Sequence, residues 1–218
     1  MLSYNMLDSI IAQTKLSKKE TSKQQAIVET AITMFAEKGY ANTSTSEIAK
    51  ASGVAEATIF RHYGTKDNLL LSVILPFLKE FAPVAVREIS EMLHPEKFGS
   101  LEDFLRAFLK DRIAFLEANK EIFRIVVKEF IYREELRKEF VPFLASQVNS
   151  FVDKVLMIYK LRGEIADLPN YTLKRLLATN VCGYFGWRFL FEHEREESEC
   201  EAEMEHLITF IVKGLKRT

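Results

Sequence analysis

Residues 43–70 read TSTSEIAKASGVAEATIFRHYGTKDNLL, and the order of polar and glycine residues in this stretch decides the fold. Ser44 followed by Glu47 matches a capping box, in which two side chains bind the backbone amides at the start of a helix. Gly53 predicts the end of that helix after barely two turns, because glycine adopts the left-handed conformation at little cost.

A second short helix is predicted from Ala55 to Tyr63. Gly64 ends it, and Thr65 can cap a further helix that starts at Lys66. Two short helices joined by a tight glycine-containing turn are typical of a helix-turn-helix. The alternative is that these are merely two packed helices of an all-α domain.

The residues before this stretch predict one more helix. Ser22 with Gln25 fits a second capping box, and Gly39 is the predicted end. Before it, residues 1–19 are predicted to be an N-terminal arm. This arm is either a frayed tail or a basic segment that contacts DNA phosphates.

Long helical patterns with short connections fill the rest of the chain. Pro76 is expected to kink the first of them. The predicted helices span residues 66–80, 82–93, 101–118, 120–135, 137–161, 172–193 and 199–215. We therefore expect an all-α fold, in which a three-helix DNA-binding domain (residues 20–66) precedes a larger helical domain for ligand binding and dimerisation (residues 67–218).

Net charge, cysteine spacing and hydropathy limit the classes of function that the chain can have. The formal net charge is −1, so DNA binding must depend on a local basic patch. The two cysteines, Cys182 and Cys200, have no paired spacing, which predicts a reducing, cytoplasmic location. We found neither a signal peptide nor a membrane span, and expect no membrane partner.

We expect neither an enzyme nor a bound cofactor or metal. Glu203 and His206 form a single Glu-x-x-His, whereas a di-iron bundle needs two such motifs and two more carboxylates. Zinc-protease, phosphate-loop and nucleophile-elbow motifs are not found in the sequence.

The run from Ile27 to Leu70 resembles the TetR family of bacterial transcriptional repressors. The resemblance covers about one fifth of the chain. It implies a homodimer that binds a double-stranded DNA operator and is released by a small-molecule effector. The matching residues are Ala31, Phe35, Gly39, Tyr40, Thr43, Ser44, Glu47, Ile48, Ala49, Gly53, Val54, Thr58, Ile59, Phe60, Tyr63, Lys66 and Leu69.

A recognition helix must expose small and polar residues while its back face packs in the core. Val54, Ile59 and Tyr63 can form that back face. Lys66 lies in the first turn of a helix, where the dipole disfavours a structural cation, so we expect it to bind phosphate. The residues predicted to contact DNA are Thr43, Ser44, Thr45, Glu56, Thr58, Phe60, Arg61, His62 and Lys66.

Three positions depart from the family pattern, namely Ala55, Glu56 and Phe60. Glu56 either accepts a hydrogen bond from a cytosine or only complements the helix dipole. These departures keep a second hypothesis open, in which the chain is a helical interaction module or adaptor whose helix-turn-helix no longer reads DNA.

The predicted dimer interface lies on the last two helices. Ala178, Cys182 and Gly186 form a strip of small side chains that lets helices approach closely. The last helix carries an apolar stripe, formed by Met204, Leu207, Ile208, Ile211 and Leu215. The alternative is that both helices pack only within their own chain.

The middle helices are rich in phenylalanine. This indicates either an ordinary core or a cavity for an apolar or amphipathic effector. The phenylalanines are Phe104, Phe108, Phe115, Phe123, Phe130, Phe140, Phe143 and Phe151.

Overall fold

The computed structural model describes Met6 and residues 22–191 and 196–216. Within these residues every regular element is helical, and the predicted all-α fold is confirmed. The helices are α1 (Ser22–Lys38), α2 (Thr45–Ser52), α3 (Glu56–Tyr63), α4 (Lys66–Met92), α5 (Leu101–Ala118), α6 (Lys120–Tyr132), α7 (Glu134–Leu161), α8 (Asn170–Gly186) and α9 (Glu197–Leu215), with a 3₁₀ turn over Pro95–Lys97 and a π turn over Trp187–Phe191.

The described residues form two compact units. The head unit comprises Met6 and residues 22–81 and 118–129, and the second unit comprises residues 82–117, 130–191 and 196–216. This division differs from the predicted boundary between residues 66 and 67. It differs because α4 starts inside the head, and because residues 118–129 join the head from a distant part of the sequence.

The core of the head unit is built from the apolar residues that recur at helical spacing. Ile27 and Phe35 of α1, Ile48 of α2 and Ile59 of α3 are each 1% exposed or less. Burying a side chain of this size contributes about 1.5–3 kcal/mol. Burial of these four side chains therefore stabilises the packing of the three helices.

Phe104 of α5 lies at the centre of the second unit. Its ring contacts those of Phe98, Phe108, Phe151 and Tyr159, with centroid distances between 5.8 and 6.3 Å. Aromatic pairs at such distances stabilise a core beyond their buried area. For these phenylalanines the structure supports the ordinary-core interpretation.

The apolar stripe of α9 also packs within the chain. Met204, Ile208, Ile211 and Leu215 are all buried in the core of the second unit. This corrects the prediction that the stripe forms part of a dimer interface. An amphipathic pattern indicates that one face of a helix is buried, but it does not show whether the same chain or a partner covers that face.

Two helix predictions in the middle of the chain differ from the structure. A single helix, α4, replaces the two helices predicted over 66–80 and 82–93, and it runs through Pro76 and Pro83. Each proline removes one intrahelical hydrogen bond. Burial of apolar side chains on both sides, among them Leu70 and Ile89, favours the continuous helix.

No helix in the described ranges is both long enough and apolar enough to cross a membrane. The predicted arm, residues 1–19, lies outside the described residues except for Met6. The Met6 backbone N–H donates to Oδ1 of Asn119 at 2.7 Å, and both residues are buried. The predicted capping role of the Ser22 side chain likewise lies outside the described part of the chain.

Candidate DNA-binding surface

The start of α2 has the predicted capping box. The Glu47 N–H donates to Ser44 Oγ at 3.1 Å, and the Ser44 N–H donates to Glu47 Oε2 at 2.9 Å. The backbone N–H and the hydroxyl of Ser44, which both donate to Glu47 Oε2, and the Lys38 ammonium lower the pKa of the exposed Glu47 carboxyl to about 2. Gly53, with φ of 71°, ends the helix as predicted, since this angle strains any residue with a Cβ.

The recognition helix, α3, follows the turn at once. Ala55 precedes its first turn in an extended conformation, and its carbonyl accepts the Thr58 N–H at 2.8 Å. Gly64, with φ of 75°, ends the helix and donates to the Phe60 carbonyl at 2.8 Å. The predicted bounds of 55–63 therefore agree with the structure to within one residue.

The two faces of α3 differ as the prediction requires. Ile59 is 1% exposed and anchors the back of the helix. On the opposite side, Phe60 is 47% exposed, and Arg61 and His62 are exposed in the last turn. Thr58 is half-buried. The exposed side of the helix thus presents an aromatic ring, a guanidinium and an imidazole.

An open depression of about 450 Å³ lies beside α3. Hydroxyl groups and the cation of Lys66 border it, and it adjoins the start of α2, where helix amides and the dipole favour an anion. Such a border fits a DNA phosphate. It is lined by Ala41, Asn42, Thr43, Ser44, Thr45, Phe60, Thr65 and Lys66.

Lys66 has a structural function that the sequence analysis did not anticipate. Its ammonium donates to the carbonyls of Tyr40 at 2.8 Å and Thr43 at 2.9 Å, and it lies 4.1 Å from the centre of the Tyr40 ring. Two of its three N–H groups therefore hold the loop between α1 and α2. The third is the one that could bind a phosphate, and that contact stays a prediction.

Thr43 requires a correction. The residue is 2% exposed, and its hydroxyl donates to the Gly39 carbonyl at 2.9 Å. A side chain that is buried and engaged in this way does not reach DNA. It satisfies a backbone carbonyl at the end of α1 instead, a common use of threonine near helix ends.

Thr45 and Glu56 connect the first turns of α2 and α3. The Thr45 hydroxyl donates to Glu56 Oε1 at 2.7 Å. Glu56 is the first residue of α3, where an acid complements the helix dipole. The structure thus adds a third role for Glu56 to the two that the sequence left open. Both side chains are half-buried.

A polar cluster around Tyr40 was missed by the sequence analysis. The Tyr40 hydroxyl donates to Asp67 Oδ1, and Lys128 Nζ donates to Asp67 Oδ2 at 3.0 Å. The Tyr40 backbone N–H donates to Glu121 Oε2 at 3.0 Å. The hydrogen bond from Tyr40 is the main cause that lowers the pKa of Asp67, whereas burial raises the pKa of Tyr40.

The hydrogen-bonded partners in this cluster are 27 to 81 positions apart along the chain. Local patterns carry no signal for such contacts. Tyr40 itself was noted only as part of the resemblance. No group of three histidine, cysteine or acidic side chains suited to a metal occurs among the described residues.

Comparison with known proteins agrees with this description. Residues 27–73 match the family model described as "Bacterial regulatory proteins, tetR family". The chain is 31% identical over 161 residues to the fatty acid metabolism regulator protein of Bacillus subtilis, a match that covers 72% of this chain and 78% of that protein.

Two further matches extend the comparison. The chain is 26% identical over 148 residues to the HTH-type transcriptional regulator YuxN of Bacillus subtilis, with 65% of this chain and 47% of that regulator covered. It thus spans about half the length of YuxN. A TetR-family regulator from Mesorhizobium loti has the same fold, with a TM-score of 0.56, 19% identity, and coverage of 91% of this chain and all of that one.

Proposed function

The chain belongs to the TetR family of bacterial regulatory proteins, and from this premise we propose that it represses transcription by binding a specific DNA operator. The observation that carries the proposal is the geometry of α2 and α3. A buried Ile59 fixes α3 while Phe60, Arg61 and His62 remain exposed. A major-groove helix needs this division into an anchored and an exposed face.

Arg61 is the residue we propose for base recognition. An arginine that binds guanine bidentately contributes about 1–3 kcal/mol of discrimination against the wrong base. Arg61→Ala should therefore change the preference among operator variants, measured by fluorescence anisotropy with a duplex library. Lys50→Ala, which removes an exposed cation of α2, is the matched control. If Arg61→Ala leaves the preference unchanged, Arg61 does not read bases.

We propose a homodimer that pairs through α8. The strip of small residues is open to solvent, since Ala178 and Cys182 are exposed and Gly186 is half-buried. Large apolar side chains of the same unit are exposed as well, among them Trp187 at 57% and Phe210 at 66%. An apolar surface of this kind is typical of a protein interface, and a two-fold dimer would read two half-sites.

Light scattering tests the dimer. Wild type should be dimeric at micromolar concentration, and Ala178→Glu should be monomeric, because two like charges would meet near the two-fold axis. Ala202→Glu, at an exposed position of α9, is the control with the same charge change. A monomeric wild type would exclude this interface.

For the effector we propose an apolar or amphipathic small molecule that releases the protein from its operator. The support comes from the similarity to a regulator of fatty acid metabolism. A coupling of 1–3 kcal/mol would change operator affinity by about 5–150-fold. Dodecanoate, dodecanol and dodecanoyl-CoA would each be added to the protein bound to a fluorescent operator, and release of the protein would be measured. The comparison shows which head group the effector requires. A probe that raises the melting temperature without weakening operator binding would contradict the release mechanism.

We propose no catalytic step and no cofactor for this protein. We also propose that it acts in the bacterial cytoplasm, where the chromosome is. The adaptor hypothesis is less well supported, because several similar proteins are named as HTH-type transcriptional regulators or repressors. Gel shifts with genomic fragments distinguish the two. Specific retardation supports the repressor, and binding no stronger than to unrelated DNA supports the adaptor.

A further inference from the structure

A row of phenylalanines on α5 is interrupted by an acidic residue. Phe104, Phe108, Asp111 and Phe115 follow one another at intervals of four, three and four residues, so their side chains share one face of the helix. Asp111 is 6% exposed, and Phe108 and Phe115 are half-buried. A carboxylate at this depth is unusual, since acidic residues are almost never fully buried unless they are paired. All four residues belong to the second unit.

Only one oxygen of the Asp111 carboxylate has a partner among the described residues. Nε and Nη2 of Arg112 both donate to Oδ2, the first at 2.9 Å. Oδ1 is shielded from solvent and accepts no hydrogen bond from the described part of the chain. Burying a carboxylate oxygen without a donor is costly. Oδ1 is therefore a candidate to accept a hydrogen bond from a bound molecule.

The charge of the Asp111–Arg112 pair determines which donor fits. The Arg112 side chain is 15% exposed, and its guanidinium lies 5.1 Å from the centre of the Phe115 ring. This guanidinium already balances the Asp111 charge. A ligand cation would add a buried positive charge without a partner, and a ligand carboxylate would be repelled by Oδ1. A neutral hydroxyl or amide N–H donates to Oδ1 without changing the net charge.

The residues beside Asp111 determine the rest of the ligand. Phe108 is three residues before Asp111 and Phe115 is four residues after it, so both rings border the carboxylate on the helix surface. Phe108 also stacks on Phe104, with ring centroids 6.3 Å apart. An apolar chain attached to the donor would lie against these rings and remove its own surface from water.

We propose that Asp111 is the polar anchor of a ligand site on α5, and that this site takes amphipathic molecules with a neutral hydrogen-bond donor, such as long-chain alcohols. Arg112 is a positioning residue, since it binds Oδ2 and leaves Oδ1 for the ligand. The inference rests on the proposed effector function and deepens it, because it names the head group. The site lies within the second unit alone.

The affinity of the full-length protein for three matched probes tests the site. Decanol, decyl methyl ether and decanoate share one alkyl chain, but only decanol has a neutral donor. Titration calorimetry should give a dissociation constant for decanol about 10–100-fold lower than for the ether, as expected for a hydrogen bond to a charged acceptor. Decanoate should bind no better than the ether.

Variants separate the anchor from a structural role. Replacing Asp111 alone leaves the buried Arg112 charge unpaired, which is strongly destabilising. Asp111→Leu combined with Arg112→Leu removes the whole pair and should fold, because apolar residues often replace a buried ion pair without loss of stability. This double variant should bind decanol and the ether with equal affinity. Glu102→Gln, which removes an exposed carboxylate of the same helix, is the control and should keep the preference for decanol.

Each outcome decides between the site and its alternatives. Equal affinity of the wild type for decanol and the ether, or no binding of any probe, would overturn the inference and assign Oδ1 to a water molecule. A preference for decanol that survives in the double variant would overturn it as well. A preference that depends on Asp111, in a protein that decanol does not release from its operator, would support the site and contradict the effector function. Release by all three probes alike would support the effector function and overturn this site.

Discussion

Replacing Lys66 with alanine tests whether this side chain holds the loop between α1 and α2 in place. Its ammonium binds the carbonyls of Tyr40 and Thr43 and lies against the Tyr40 ring. Hydrogen bonds from a charged donor contribute about 1.5–3 kcal/mol each, and a partly exposed cation–π contact adds about 0.5–1 kcal/mol. The gross loss is therefore about 3.5–7 kcal/mol.

Two effects reduce this loss. Alanine removes the entropic cost of ordering a lysine side chain, about 1.5–2 kcal/mol. Water can also replace the ammonium at Tyr40, which is half-buried, but less well at Thr43, which is 2% exposed. We therefore expect Lys66→Ala to lower the free energy of unfolding by about 2 kcal/mol.

Urea denaturation followed by circular dichroism measures this change. Lys50→Ala removes the same charge from an exposed position and should leave the unfolding free energy within about 0.5 kcal/mol of wild type. If both variants unfold at the same midpoint, Lys66 does not hold the loop. If Lys66→Ala also lowers the salt slope of operator binding by about 1, its third N–H contacts a phosphate, whereas an unchanged slope limits it to the loop.

Substitutions at Ser44, Ile59 and Glu47 test the helix-turn-helix itself. Ser44→Ala should cost about 1 kcal/mol by thermal denaturation, because the cap of α2 is lost, and Ser46→Ala should cost less. Ile59→Ala should cost about 2–5 kcal/mol and Ile59→Val about 0.5–1.5 kcal/mol; equal costs would contradict a close-packed site. Because the pKa of Glu47 is lowered to about 2, its stabilising effect is complete above pH 4.5 and is lost as the pH falls towards 2. Glu47→Gln should therefore lose less stability than wild type over that interval.

Local sequence patterns predicted the helix-turn-helix well because its determinants are local. A capping box involves residues three apart, and a glycine that ends a helix acts at its own position. Ser44, Glu47, Gly53 and Gly64 all have the predicted roles. Thr65 caps α4 as predicted, since it accepts the Asn68 N–H at 3.0 Å.

Side-chain roles that depend on tertiary contacts were predicted less well. Lys66 was expected to avoid a structural role because the amides of a helix start repel a cation. Instead, it binds carbonyls that the end of α1 and the following loop bring to the same place. Thr43 was expected outside and is inside, because its hydroxyl reaches the Gly39 carbonyl four residues earlier. The residue types alone did not indicate that Lys66 binds backbone carbonyls or that the Thr43 side chain faces the protein interior.

Contacts between distant helices lie beyond local patterns altogether. The stripe of α9 was correctly predicted as apolar, but its burial within the second unit depends on the other helices that surround it. Glu121 and Lys128 have the ordinary composition of an exposed helix face. Only the fold shows that Glu121 contacts Tyr40 and that Lys128 contacts Asp67.

The departures from the family pattern at Ala55 and Glu56 have a joint explanation in the structure. Alanine before α3 provides no side-chain cap, which costs about 1 kcal/mol relative to serine or threonine. The adjacent Glu56 complements the dipole of α3 and accepts the Thr45 hydroxyl at 2.7 Å, so that it stabilises the same helix start and ties it to α2. The two changes thus offset each other within a folded recognition helix. They are no sign that DNA reading has been lost, and of the three departures only Phe60 still supports the adaptor hypothesis.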